Sequence, residues 1–178
     1  MLQAIECDLP FDLILKADYT QHTGSCIRHQ KYELSDIHEK YGFSDTYCLE
    51  NTTIHQLWWS AQDLDYDQIG NQLGINVVTV SSIQQPPGSV VPLHRDTFFQ
   101  INQRYPEDTR LKVRANIYLE DWQPGHMIQY TEDENFWTTD TNWLAGAGWI
   151  WDSSVLHLSA NAGMLNKHTL QVSGFLRE

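Results

Sequence analysis

From residue 75 onward the hydrophobic and polar positions alternate as they do in β-strands. Residues 75–83 are rich in β-branched side chains and run into Gln84-Gln85-Pro86-Pro87-Gly88, a strong turn signal. Residues 89–99 resume extended character. Residues 111–120 alternate cleanly, with Val113, Ala115, Ile117 and Leu119 on one face and Arg114, Asn116 and Tyr118 on the other. Gln123-Pro124-Gly125 turns the chain, and residues 126–130, 148–152, 155–159 and 169–176 complete a series of about seven short strands. Short strands with frequent turns predict a sandwich or barrel.

Before residue 75 the pattern is broken and more helical. Thr52 or Thr53 is placed to cap a helix through Ile54, Leu57, Trp58 and Ala61. Residues 65–73 predict a second short helix, stopped at Gly74. Residues 1–51 read only as short helices and loops. The expectation is one domain over residues 1–178, mostly β with N-terminal α. Residues 1–75 would give helical support and the entrance, and residues 76–178 a jelly-roll core.

Composition narrows the function. At 41% hydrophobic and 19% charged residues, the chain is neither disordered nor a coiled coil. Eleven Lys and Arg against 23 Asp and Glu give a net charge of −12, which repels phosphate backbones and argues against nucleic acid as a partner. Three cysteines without a CxxC pair indicate neither a disulfide scaffold nor a thiolate zinc site, so a reducing cytoplasm is expected. The opening residues lack a signal-peptide pattern, and no apolar run approaches the ~18 residues of a membrane span.

The candidate chemistry starts at His94-Arg95-Asp96. On a strand, positions i and i+2 share a face, so His94 and Asp96 can grip one ion while Arg95 points away. His157 follows several strands later. By itself it could simply close a turn, but two His and one carboxylate form the facial triad of non-haem iron, which leaves positions open for substrate and O2. Lys167, ten residues on, shares a strand face with Thr169 and Gln171 and could pair with a ligand carboxylate at the barrel mouth. Its alternative is a solvated surface lysine. Arg114 and Asn116 face either solvent or, in a two-sheet barrel covered by helices on the apolar side, an interior pocket.

With these features, residues 77–175 resemble the iron(II)- and 2-oxoglutarate-dependent dioxygenases. The carriers are His94-x-Asp96, the distal His157 and the basic Lys167. The likeness is greatest to the aspartyl/asparaginyl β-hydroxylase and prolyl-hydroxylase-like branches, and the β-hydroxylase likeness rests on Pro87-Gly88 before the first His, Arg114-x-Asn116, and Asp152-Ser153-Ser154-x-x-His157. Two features depart from the β-hydroxylases: Asp96 stands where they usually lack a triad carboxylate, and Lys167 replaces their co-substrate arginine. The resemblance implies a double-stranded β-helix of cupin-like form supported by helices. It implies iron(II) on His94, Asp96 and His157 as the catalytic centre, with 2-oxoglutarate and O2 as co-substrates. Lys167 would take the distal carboxylate of 2-oxoglutarate, and Arg114 and Asn116 would orient a carboxylate of the same ligand. The implied reaction is hydroxylation of an unactivated C–H, on a peptidyl side chain of Pro or Asp/Asn type or on a small molecule, with release of succinate and CO2.

Two other readings remain: a cupin-like metalloenzyme that does not use 2-oxoglutarate, and a non-enzymatic jelly-roll binding module. A hydrolase triad through Ser153 or Ser154 lacks the Gly-x-Ser-x-Gly elbow. His126 reads as a turn residue, His168 as outward-facing, and His22, His29, His38 and His55 show no paired spacing. Trp149 and Trp151 read as core, and Trp58-Trp59 as one buried and one exposed ring. The acidic, aromatic loop at residues 131–143 would shape the entrance.

Overall fold

The computed structural model describes residues 1–27, 35–42 and 47–177. Two antiparallel sheets face each other. Eleven strands occur among the described residues: β1 (Leu2–Glu6), β2 (Thr23–Ser25), β3 (Thr53–Trp59), β4 (Ile75–Gln85), β5 (Val90–His94), β6 (Lys112–Tyr118), β7 (His126–Thr131), β8 (Thr138–Asp140), β9 (Ala147–Trp151), β10 (Leu156–Asn161) and β11 (Lys167–Leu176). The large sheet has the order β1-β9-β6-β11-β4-β3-β2, and the small sheet β5-β10-β7-β8. From β4 to β11 the chain passes back and forth between the sheets, and β4 lies beside β11 in the large one. This is the expected jelly roll.

The alternation of β6 sets the layers. Val113, Ala115 and Ile117 are fully buried on the outer face, with Leu170 and Val172 of β11 and Ile150 of β9. Ile14 of α1 (Phe11–Leu15) and Ile69 and Leu73 of a later helix cover them. That later helix, Tyr66–Leu73, begins where the Asp65 carboxylate accepts the Gln68 amide and ends at Gly74 in the left-handed region, as expected. The opposite face of the large sheet looks toward the small sheet and carries polar groups on β6 and β11 together with the buried rings of Tyr118 and Trp151.

Two expectations in the first 75 residues differ from the structure. The helix through Ile54 and Leu57 is instead a one-turn helix, Leu49–Thr52, followed by strand β3. The β-branched and aromatic run Thr53-Ile54…Trp58-Trp59 gains antiparallel ladders, His55–Trp59 on β4 and Thr53–His55 on β2, which outweigh any local helix propensity. Met1 to Asn51 also supplies edge strands: β1 pairs with β9, and β2 with β3. A further helix, Ser35–Tyr41, lies among these residues. No described helix is long and apolar enough to cross a membrane.

Truncating Leu170, fully buried beneath the helices, should cost about 2–5 kcal/mol. Urea unfolding of Leu170→Ala should show a lower midpoint with an unchanged slope.

Candidate metal centre

His94 ends β5 and lies directly opposite His157 of β10. The two imidazole rings are 4.1 Å apart, centre to centre. Asp96 lies just past the strand end, yet its carboxylate returns to the same side. Ligand atoms of His94, Asp96 and His157 all fall within 4.8 Å of one another, the one such cluster among the described residues. All three side chains are nearly buried.

The remaining contacts of these residues set their protonation states. The His94 ring faces the Pro92 carbonyl through Nδ1 (2.8 Å), and His157 faces the Val155 carbonyl in the same way (3.2 Å). A carbonyl only accepts, so each Nδ1 carries the proton and each Nε2 presents a lone pair. Burial lowers both imidazole pKa values, that of His157 to about 3. Both are therefore neutral ligands at ordinary pH. Burial works against the charge on Asp96, but Arg114 above all, together with the Trp151 N–H, holds its carboxyl below the usual range. Arg114 Nε lies 3.2 Å from Asp96 Oδ1, and Trp151 Nε1 donates to Asp96 Oδ2 at 2.7 Å. Two neutral imidazoles and an ionised carboxylate with free lone pairs match the donor set of a divalent iron site.

The cluster lines a cavity of about 200 Å³ between the sheets. Arg114 and Asn116 face this cavity, the interior alternative of the sequence reading. Arg114 donates to the Gln171 carboxamide (2.9 Å), and Gln56 of β3 donates to Ser81 (3.0 Å). Lys167 departs from its expected place at the mouth. It is fully buried one hydrogen bond behind the cavity wall, where its ammonium donates to Ser159 Oγ (2.6 Å) and to the Met127 carbonyl (2.8 Å). Ser159 itself lines the cavity. Burial pulls the Lys167 pKa down to about 7, against a smaller opposing pull from Asp140. Its neighbour His168 points to the helix side, onto Glu120 and beside Tyr19.

Several assignments shift. Arg95 was expected to point away from the cavity, but it lines the rim and bonds the Ser154 carbonyl and Glu134. Glu134 also accepts from Lys40 and Tyr41 of the Ser35–Tyr41 helix, and these donors, Lys40 first, hold its carboxyl at about 2. The loop carrying Glu134 is thereby tied to the segment that carries the candidate ligands His94 and Asp96. Trp151 is buried core, as read, and also touches the cluster: its ring packs 4.5 Å from His157. Its alternation with Trp149 was visible in the sequence, but its partner was not. His126 is buried at the start of β7, with Nε2 on the Leu165 carbonyl. Ser154 closes a turn on Asp152 and forms no nucleophile pair with His157. His55 bonds Thr23, His29 lies outside the described residues, and so does the side chain of His38.

No family model matches the sequence, and no curated protein does either. Solved structures do match. A prolyl-4-hydroxylase from Pseudomonas putida superposes with a TM-score of 0.56 at 19% identity, over 99% of this chain and 92% of that one. The 2-oxoglutarate complex of the viral collagen prolyl hydroxylase from Paramecium bursaria Chlorella virus-1 gives 0.50 at 16%, over 67% and 77%. The fold is that of the 2-oxoglutarate- and iron(II)-dependent oxygenases. A carbocyclase of this oxygenase fold, the non-haem α-ketoglutarate-dependent SnoK of nogalamycin biosynthesis, gives 0.55 at 12%, over 98% and 79%.

The lowered imidazole pKa values fix a pH response. Between about 6.5 and the folded values, the unfolded chain binds protons that the folded one refuses, so stability falls as pH falls through this window. The melting temperature of the metal-free protein should drop on going from neutral pH to about pH 5. His157→Gln should show a smaller drop.

Proposed function

We propose that the protein is an iron(II)- and 2-oxoglutarate-dependent oxygenase that hydroxylates an unactivated C–H bond. The observation that carries this reading is the convergence of two Nε2 lone pairs and one carboxylate on a buried cavity in an oxygenase fold. His94, Asp96 and His157 would hold the iron. Iron(II), with 2-oxoglutarate and O2, supplies the oxidant for such a hydroxylation and yields succinate and CO2. Arg114 and Asn116 would orient the carboxylate nearer the metal. Lys167 would receive the distal carboxylate, reached through or beside Ser159. The two cations lie far apart on adjacent strands, since Arg114 pairs with Ser173 and Lys167 starts β11. That separation supports different carboxylates for them. The enclosing sheets would exclude bulk water, and Trp151 and Arg114 would keep Asp96 ionised.

The substrate would be a peptidyl side chain of Pro or Asp/Asn type, or a small molecule. Two prolyl hydroxylases among the similar structures support the peptide form. The rim, with Arg95 and an exposed Phe136 on the adjoining loop, offers an open approach for either.

Anaerobic titration of metal-stripped protein tests the reading. A weak visible charge-transfer band should need both iron(II) and 2-oxoglutarate and should vanish in His94→Ala. Iron binding without the band would favour a metalloenzyme that does not use 2-oxoglutarate, and no iron binding would reject the centre altogether. Lys167 gives an independent check. Its ammonium form is the one that attracts a carboxylate, and its free pKa is about 7. Binding of 2-oxoglutarate should therefore take up protons and weaken from about pH 7 to about pH 9. Lys167→Met should weaken binding about tenfold or more and abolish that pH dependence, while metal affinity stays intact.

A further inference from the structure

We infer that Trp151 is a positioning residue for the metal centre, fixing the Asp96 carboxylate and the His157 ring through one indole. The inference rests on the reading of His94, Asp96 and His157 as a metal site. Asp96 stands beyond the end of β5, on backbone with no ladder to hold it. Trp151 stands on β9, hydrogen-bonded to β1 on one side and β6 on the other. The bond from its Nε1 to Asp96 Oδ2 ties this free-standing carboxylate to a strand paired on both sides in the large sheet.

Its cross-strand partner on β6 is Arg114. Neighbouring positions on two strands therefore address the two oxygens of one carboxylate, Trp151 at Oδ2 and Arg114 at Oδ1. Their contributions differ. The Arg114 Nε–H is near enough for an ion pair but makes no aligned hydrogen bond. The indole N–H supplies the directional contact. It occupies one lone-pair direction of Oδ2, which lies 3.9 Å from His157 Nε2, and sets the rotation of the carboxylate. The same ring packs on His157. A phenyl ring would keep the packing and lose the donor, so the two contributions can be separated.

The test is cobalt(II) binding to metal-stripped protein, followed by calorimetry and by the visible ligand-field spectrum. Trp151→Phe should weaken cobalt affinity about tenfold to a hundredfold and alter the spectrum, with little change in melting temperature. Trp149→Phe, which removes an indole bonded to Asp140 instead, should bind cobalt as the wild type does. Wild-type affinity and spectrum in Trp151→Phe would overturn the inference. If wild-type protein fails to bind cobalt, or His157→Ala binds it equally well, the metal-site reading itself has failed, and the wild-type and His157→Ala arms show this directly. Should Trp151→Phe not fold, the wild-type indole signal in nuclear magnetic resonance decides. A slowly exchanging Nε1–H that shifts on adding zinc(II) upholds the inference, and one that exchanges freely and ignores zinc overturns it.

Discussion

Strands β6 and β11 alternate between a face that packs on helices and a face that looks into the space between the sheets. On the first face Val113, Ala115, Ile117, Leu170 and Val172 are sealed from water, and this apolar layer anchors the large sheet. On the second stand Arg114, Asn116, Lys167, Thr169 and Gln171, polar groups whose burial is costly unless they find partners. Many find them in one another or in the facing sheet: Arg114 on Gln171, Lys167 on Ser159, Ser159 on Gln85. A polar interior is therefore built into the same two-residue period that builds the core.

The three candidate ligands depend on that interior without belonging to the large sheet. His94 and His157 face each other across one strand pair of the small sheet, so their spacing follows from the register of β5 and β10. Asp96 has no such ladder and takes its position from Trp151 and Arg114 across the gap. The centre is thus assembled from both sheets, and neither sheet alone holds it. At the rim, Glu134 gathers Arg95, Lys40 and Tyr41.

Much of this was legible in the sequence because it depends on period and spacing. The clean alternation of residues 111–120 gave β6 and both its faces, and Asp65 with Gly74 bounded one helix by local hydrogen bonding and a left-handed turn. The set His94, Asp96 and His157 was readable because an i, i+2 pair and a distant histidine are a chemical pattern, whatever surrounds them. The strand at residues 53–59 was not readable, since its ladder partner β4 lies over twenty positions away and local propensity is silent about it. Edge strands β1 and β2 were missed for the same reason.

The sequence by itself determined the strand-rich class, the two-faced character of β6 and the identity of the three candidate ligands, because each is written in residue types at short, regular intervals. Only the tertiary structure decided that Lys167 lies behind the cavity wall, that Arg95 turns to Glu134, and that Trp151 reaches Asp96. Those outcomes depend on which side chains meet across a gap between two sheets, and that meeting is set by the register and packing of strands distant in the chain.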